Sequence, residues 1–130
     1  MFVVVDWQDS RPAYLQLRDQ IVAQMARGEL TNGMTLPSVR RLAGELGVNL
    51  HTVHKAFALL RDQGFIQLRP GSNAVVRLER GSDGVETLKQ DLDSRLAQAW
   101  IKGMTRVEII RTVETILDTF QPLKSDAPVN

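Results

Sequence analysis

LPSVRRLAGELGVNLHTVHKAFALLRDQG, residues 36–64, holds two short helical patterns on either side of a glycine. Pro37 stops any preceding helix, and Ser38 is a good N-cap for a new one. Val39, Leu42, Ala43 and Leu46 then recur at helical spacing and give one apolar face. Gly47 stands where that helix ends, a place that favours a left-handed residue. Val48 plugs the space between two helices, and Asn49 caps the second. Val53, Ala56, Phe57 and Leu60 form the apolar face of this second helix, while His51, Thr52, His54 and Lys55 occupy its other side near the N-terminus. A short helix, a glycine turn and a second helix with exposed polar donors is the layout of a helix-turn-helix. An ordinary antiparallel helix pair has the same outline, so the flanking sequence must discriminate.

Downstream, Phe65-Ile66-Gln67-Leu68-Arg69 and Ala74-Val75-Val76-Arg77-Leu78 are two runs of strand formers around the turn cluster Pro70-Gly71-Ser72-Asn73. That is a β-hairpin pattern, and a helix-turn-helix followed at once by a hairpin makes a winged helix. Arg69 lies at the base of the wing tip, with Arg77 and Arg80 on the returning side.

Upstream, Phe2–Val5 reads as a short strand or extended arm, with Trp7 anchoring it to the body of the domain. Ser10 is expected to cap a first helix with Pro12 inside its first turn. Tyr14, Leu17, Ile21 and Met25 form the stripe of that helix, with Leu15 and Val22 alongside, and it ends near Gly28. Residues 29–35 read as a loop turning at Asn32-Gly33.

Arg80-Gly81-Ser82-Asp83-Gly84 marks the clearest boundary. Two more helices follow. The first carries Leu88, Leu92, Leu96 and Trp100 on one face. Gly103 stops it, and Thr105-Arg106-Val107-Glu108 opens the next with a capping box. The last helix bears Ile109, Val113, Ile116, Leu117 and Phe120, an apolar surface wider than one stripe. A hairpin of this size has too much apolar surface to stand alone. Its most economical partner is a second copy of the chain, which makes Leu88, Leu92, Leu96, Trp100, Ile109, Val113, Ile116, Leu117 and Phe120 the expected dimer interface. Folding back onto its own N-terminal part is the alternative. The expected fold class is mainly α with a small β-hairpin (α+β). The expected domains are a winged helix over 1–80, a linker over 81–84, a dimerisation hairpin over 85–121 and a disordered tail over 122–130.

Composition narrows the function. The 130 residues hold no cysteine, which excludes disulfides, thiolate nucleophiles and cysteine-based zinc sites. No apolar run approaches a bilayer span, and the N-terminus has no signal-peptide pattern, so the expected location is cytoplasmic with no membrane partner. The net charge is only +1. Its distribution says more. Residues 38–80 hold seven basic residues (Arg40, Arg41, Lys55, Arg61, Arg69, Arg77, Arg80) against three acidic ones (Glu45, Asp62, Glu79), a net +4, whereas residues 81–130 carry −2. The positive excess sits on the helix pair and wing, as expected if they face a polyanion.

These residues resemble the GntR family of bacterial transcription regulators, and within it the YtrA-like subfamily. Gly33-Met34-Thr35-Leu36-Pro37-Ser38-Val39-Arg40-Arg41-Leu42-Ala43 is similar to the family's G-x-x-LPS-x-R-x-LA signature. The run from Gly47 to Phe57 is similar to the subfamily's G-V-N-P-N-T-V-x-K-A-Y. Pro12-Ala13-Tyr14-Leu15-Gln16 resembles its P-x-Y-x-Q opening, and the Gly103-Met104-Thr105 junction fits as well. Leu50 stands where proline is usual, and His51 where asparagine is usual. Asn73 takes the second glycine position of the wing, where its tolerance of left-handed angles would let the wing turn.

The resemblance implies a homodimer on double-stranded DNA, reading an inverted-repeat operator and acting as a repressor. Together with the exposed face of the second helix, it gives as the expected DNA-contacting set Ser38, Arg40, Asn49, His51, Thr52, His54, Lys55, Arg69 and Ser72. The recognition helix over 49–63 would lie in the major groove, and the wing over 69–73 at the backbone or minor groove. Arg40 would meet phosphate or a base edge, Asn49 and Thr52 a phosphate at the helix N-terminus, and His51 and Lys55 the groove. A winged-helix module that binds only protein is the competing class. No cofactor is expected. His51 and His54 stand three apart, but a bare pair without a third ligand is no metal site. An enzyme is excluded for want of any nucleophile–base pairing. A small-molecule effector of unknown identity could sit near Trp100 and Met104, whose side chains serve equally well as interface core.

Overall fold

The computed structural model describes residues 1–79, 81 and 84–122. Arg80, Ser82, Asp83 and the tail after Pro122 lie outside the described residues, and with them most of the expected linker and tail. The chain forms two compact units. One is Met1–Glu79 with the described residues from Gln121, and the other spans Arg80–Phe120.

The first unit contains α1 (Ala13–Ala26), α2 (Val39–Leu46), α3 (Leu50–Asp62), β1 (Ile66–Gln67) and β2 (Val75–Val76). The caps explain where α2 and α3 start. Ser38 Oγ accepts from the Arg41 N–H at 3.1 Å, and Asn49 Oδ1 accepts from the His51 N–H at 2.7 Å. Gly47 ends α2 at φ +68°, a left-handed angle costly for residues with a Cβ. The Val48 N–H then donates to the Ala43 carbonyl at 3.1 Å, which turns the chain straight into α3. Leu17, Ile21 and Met25 of α1, Leu42 and Ala43 of α2, and Val53, Ala56, Phe57 and Leu60 of α3 meet in one buried core, closed by Ile66, Ala74 and Val76 of the wing.

β1 and β2 pair antiparallel, with Ile66 opposite Val76 and Gln67 opposite Val75. The expected loop before α2 does more than connect. Thr35 forms an antiparallel bridge to Val75, and the Gly33 and Leu36 N–H groups donate to the Val76 and Ala74 carbonyls at 2.8 Å each. The segment therefore lies along the free edge of β2 and ties the wing to the entrance of α2. At the wing tip Gly71 takes the left-handed angle (φ +74°), and no residue other than glycine has a positive φ among the described residues. Asn73 is thus not the turning residue; a glycine two positions earlier makes the turn at no steric cost.

Two N-terminal expectations are corrected. Ser10 does not cap α1: the N-cap is Pro12, in extended geometry, and its carbonyl accepts from Leu15 and Gln16 at 3.1 and 3.2 Å. Proline suits this boundary because it has no N–H to leave unpaired. Trp7 anchors nothing, being 70% exposed. The arm is held by glutamines. Gln16, Gln20 and Gln24, one turn apart on α1, each receive a backbone N–H and donate to a backbone carbonyl of Asp6, Val4 and Phe2 in turn, at 2.5–3.2 Å. Four helical residues advance about 6 Å and two extended residues about 6.6 Å, so the two repeats stay in step. Val3 is buried beneath this ladder, and Val5 packs against the core.

The second unit contains α4 (Val85–Ile101) and α5 (Arg106–Leu117). Gly103 makes the turn between them (φ +101°). The capping box that opens α5 is complete. Thr105 Oγ1 accepts from the Glu108 N–H at 3.1 Å, and Glu108 Oε1 accepts from the Thr105 N–H at 2.8 Å. These backbone and side-chain hydrogen bonds hold the Glu108 carboxyl below the usual carboxylate range. Neither helix has a buried residue. The molecule is mainly helical, with one small antiparallel sheet. Among the described residues no helix is long and apolar enough to cross a membrane.

Candidate nucleic-acid interface

The core residues of α3 fix which of its side chains point away. Successive residues turn by about 100°, so a face centred on Val53, Ala56, Phe57 and Leu60 puts His51 and Lys55 opposite it. The structure shows His51, His54 and Lys55 exposed and Thr52 half-buried at one edge. Asn49 is exposed too, but its carboxamide is engaged as the cap of α3, just as the Ser38 hydroxyl is engaged as the cap of α2. These two residues orient helix N-termini whose free N–H groups and positive dipole ends suit phosphate.

The cations differ in how they are held. Arg41 pairs with Glu45 at 3.0 Å and Arg61 with Asp62 at 2.9 Å, which leaves both locally neutralised. Arg40 is exposed and has no carboxylate within ion-pair distance among the described residues. The Lys55 ammonium lies over the Tyr14 ring, 4.2 Å from its centroid. At the wing, Arg69 and Arg77 both donate to Gln67 Oε1 at 3.4 Å, so one acceptor gathers two cations from the outgoing and returning sides of the wing. Ser72 closes the wing turn: its N–H and hydroxyl both point to the Arg69 carbonyl, at 3.2 and 3.5 Å.

Helix α3 therefore brings His51, His54 and Lys55 together on one exposed surface, with Thr52 at its margin. Arg40 comes from α2, and Arg69 and Ser72 from the wing. Tyr14 and Gln67 escaped the sequence reading. Tyr14 was absorbed into the core stripe of α1, and nothing local showed that its ring also meets a lysine 41 residues away. The ion pair that Arg11 makes with Asp19, and its contact with Asp9, lie apart on the start of α1. The Arg11 N–H and guanidinium hold the Asp9 carboxyl low, and the Asp9 carboxylate raises Arg11. In the second unit, Leu88, Leu92, Leu96 and Trp100 of α4 line a groove of about 640 Å³ with Ile109 of α5. Val113, Ile116, Leu117 and Phe120 are exposed on α5 and its end. Met104 does not share the Trp100 groove; it lies with Glu108, Thr112 and Ile116 in a separate one.

Comparison with known proteins agrees with this geometry. The profile of the bacterial regulatory proteins, gntR family, matches residues 13–76, from α1 through β2. YhcF of Bacillus subtilis, named as an uncharacterized HTH-type transcriptional regulator, is 29% identical over 86% of this chain and 95% of its own length. YtrA from Sulfolobus acidocaldarius, a GntR-family transcription factor, is 34% identical, with 88% of this chain and 95% of that chain covered and a TM-score of 0.53. The chain belongs to the GntR family. Its family is one of transcription regulators and not of enzymes. A GntR-type regulator of this build places its matched segment on the winged helix, and the likeness to YtrA extends beyond that segment. The DNA-binding domain of AraR, in a structure titled as a complex with operator ORX1, is similar over 58% of this chain and 98% of that chain, at 25% identity and a TM-score of 0.53.

Proposed function

We propose that this GntR-family regulator is a homodimeric repressor that binds an inverted-repeat operator in double-stranded DNA. The observation that carries the DNA reading is the exposed face of α3. Its capped N-terminus, His51, His54 and Lys55 form a surface with no acidic residue in the first turn. The likeness to the AraR domain, whose solved complex contains an operator, supports the same use. The recognition helix, capped by Asn49 and ending at Gln63, enters the major groove, and Arg40 and Thr52 meet the backbone beside it. Arg69 at the wing reaches phosphate or the minor groove, with Ser72 shaping the turn. Residues 1–80 serve as the DNA-binding domain, 81–84 as a linker and 85–121 as the dimerisation hairpin.

The dimer reading rests on α4 and α5, which bury none of their own residues. Most of a helix's stability in a protein comes from packing of its apolar face rather than from propensity. Covering the groove with the same groove of a second copy supplies that packing and sets two recognition helices on a two-fold axis. Half-sites then lie about 10 bp apart or a multiple of that. A regulator that works on DNA in a cell without a nucleus acts in the cytoplasm.

Fluorescence anisotropy against duplexes from the gene's own upstream region tests this, with wild type and Arg40→Ala over a salt series. The expected result is salt-dependent, sequence-selective binding that saturates at two chains per site and is lost in the variant. Weak binding that is equal for both proteins and indifferent to sequence would remove the operator reading and favour a protein-binding module.

A further inference from the structure

We propose that Tyr14 is a positioning residue for DNA binding: its ring holds the Lys55 ammonium at the flank of the recognition helix, where it meets a backbone phosphate and leaves His51 to face the base edges. This inference rests on the DNA reading above and refines which side chain does what within it.

Lys55 and His51 stand one turn apart on the same outward face of α3, so their backbone positions alone give them equal claim to the groove floor. The side chains separate them. Lys55 Nζ sits 4.2 Å from the centroid of Tyr14, in the first turn of α1, and its stem therefore leans out of α3 toward α1. The Tyr14 ring is half-buried and packs against the core, so it is a fixed platform rather than a second mobile side chain. Among the described residues His51 receives no such tether; its backbone N–H donates to the Asn49 cap.

The chemistry of the platform matters. Carboxylates pair with Arg11, Arg18, Arg27, Arg41 and Arg61, and each of those cations is partly cancelled before any ligand arrives. An aromatic face orients an ammonium through its quadrupole and leaves the full charge in place. A lysine ammonium is also a compact point charge without the planar fork that reads guanine in two hydrogen bonds, and it suits phosphate better than a base edge. Held to one side with its charge intact, Lys55 is prepared for the strand that borders the groove.

Binding of the full chain to its operator and to an unrelated duplex of equal length, over a salt series, tests the assignment. Lys55→Gln should weaken both duplexes equally and lower the slope of log affinity against log salt by about one, with the preferred sequence unchanged. Tyr14→Phe should behave as wild type. Tyr14→Leu should lose about two- to fivefold on both duplexes, and adding it to Lys55→Gln should cost nothing further. In the free protein, the Lys55 side-chain protons should show an upfield ring-current shift in NMR spectra of wild type and Tyr14→Phe that vanishes in Tyr14→Leu. A changed base preference in Lys55→Gln, an unshifted Lys55 in wild type, or equal losses from Tyr14→Leu with and without Lys55 would each overturn the inference. The first and second of these stand even if Tyr14→Leu does not fold. Wild type and Arg40→Ala binding alike would overturn the operator reading with it, whereas an Arg40-dependent operator with any of the preceding results overturns this inference alone.

Discussion

The two units of the chain solve the same problem in opposite ways. Among the described residues the winged helix buries fifteen apolar side chains, including Leu17, Ile21, Val53 and Leu60 at full burial. The helical hairpin of α4 and α5 also carries an apolar face, yet Leu88, Trp100, Ile116 and Leu117 each stay more than half exposed. The difference lies in geometry rather than composition. Three helices and a hairpin can enclose a volume, whereas two helices have only a line of contact and leave their remaining surface to something else. Stability of the first unit is a property of one chain, and that of the second depends on what covers it.

The largest expected effect comes from disrupting the proposed dimer. Leu92→Glu places a charge in the α4 groove and, if that groove is the proposed interface, should leave a monomer by sedimentation. Losing the second recognition helix should cost about 10²- to 10⁴-fold in operator affinity, while the circular dichroism of the winged helix is retained. A dimer that survives the charge would mean that another surface joins the copies. Next, Leu60→Ala should reduce the stability of the first unit by about 2–5 kcal/mol in urea titration, with a midpoint independent of protein concentration. A midpoint that moved with concentration would break the distinction between the units.

A smaller loss is expected from Gln16→Ala. Its carboxamide accepts from the Asp6 N–H and donates to the Asp6 and Arg11 carbonyls at 2.8–3.0 Å, and the side chain is 4% exposed. Unpairing these groups should cost about 1–3 kcal/mol and speed hydrogen exchange along residues 2–6, leaving α3 unaffected. The smallest effect is on pH. Glu108 titrates lower when folded than when unfolded, so its share of stability is present above the ordinary carboxylate range and fades as pH falls through the lowered value. Acid should loosen the start of α5 slightly, and Glu108→Gln should flatten that dependence. An unchanged acid response in the variant would assign it to another carboxylate.

Periodicity carried most of the reading of the first unit. Val53, Ala56, Phe57 and Leu60 were legible because an amphipathic helix repeats its core face in a pattern that local sequence displays. Ser38 and Asn49 were legible as caps for the same local reason, and Gly47 as a C-terminal stop. The candidate site was partly legible: the exposed side of α3 follows from its buried side. Ser10 misled because a good capping residue two positions before a proline yields to the proline's own fixed φ. Trp7 misled because a large aromatic ring is most often an anchor, and here the glutamine ladder already holds the arm.

The elements, their caps and faces, and the positive bias of the helix pair and wing all follow from residues a few positions apart and could be read from the chain alone. Only the tertiary structure decided the pairings across distance: Thr35 along the edge of β2, Gln16, Gln20 and Gln24 against the arm, Gln67 between Arg69 and Arg77, and Tyr14 under Lys55. Such contacts depend on how helices and strands are placed against one another. A polar side chain carries no local mark of the partner it will meet, because that partner comes within reach only once the core has brought the elements together.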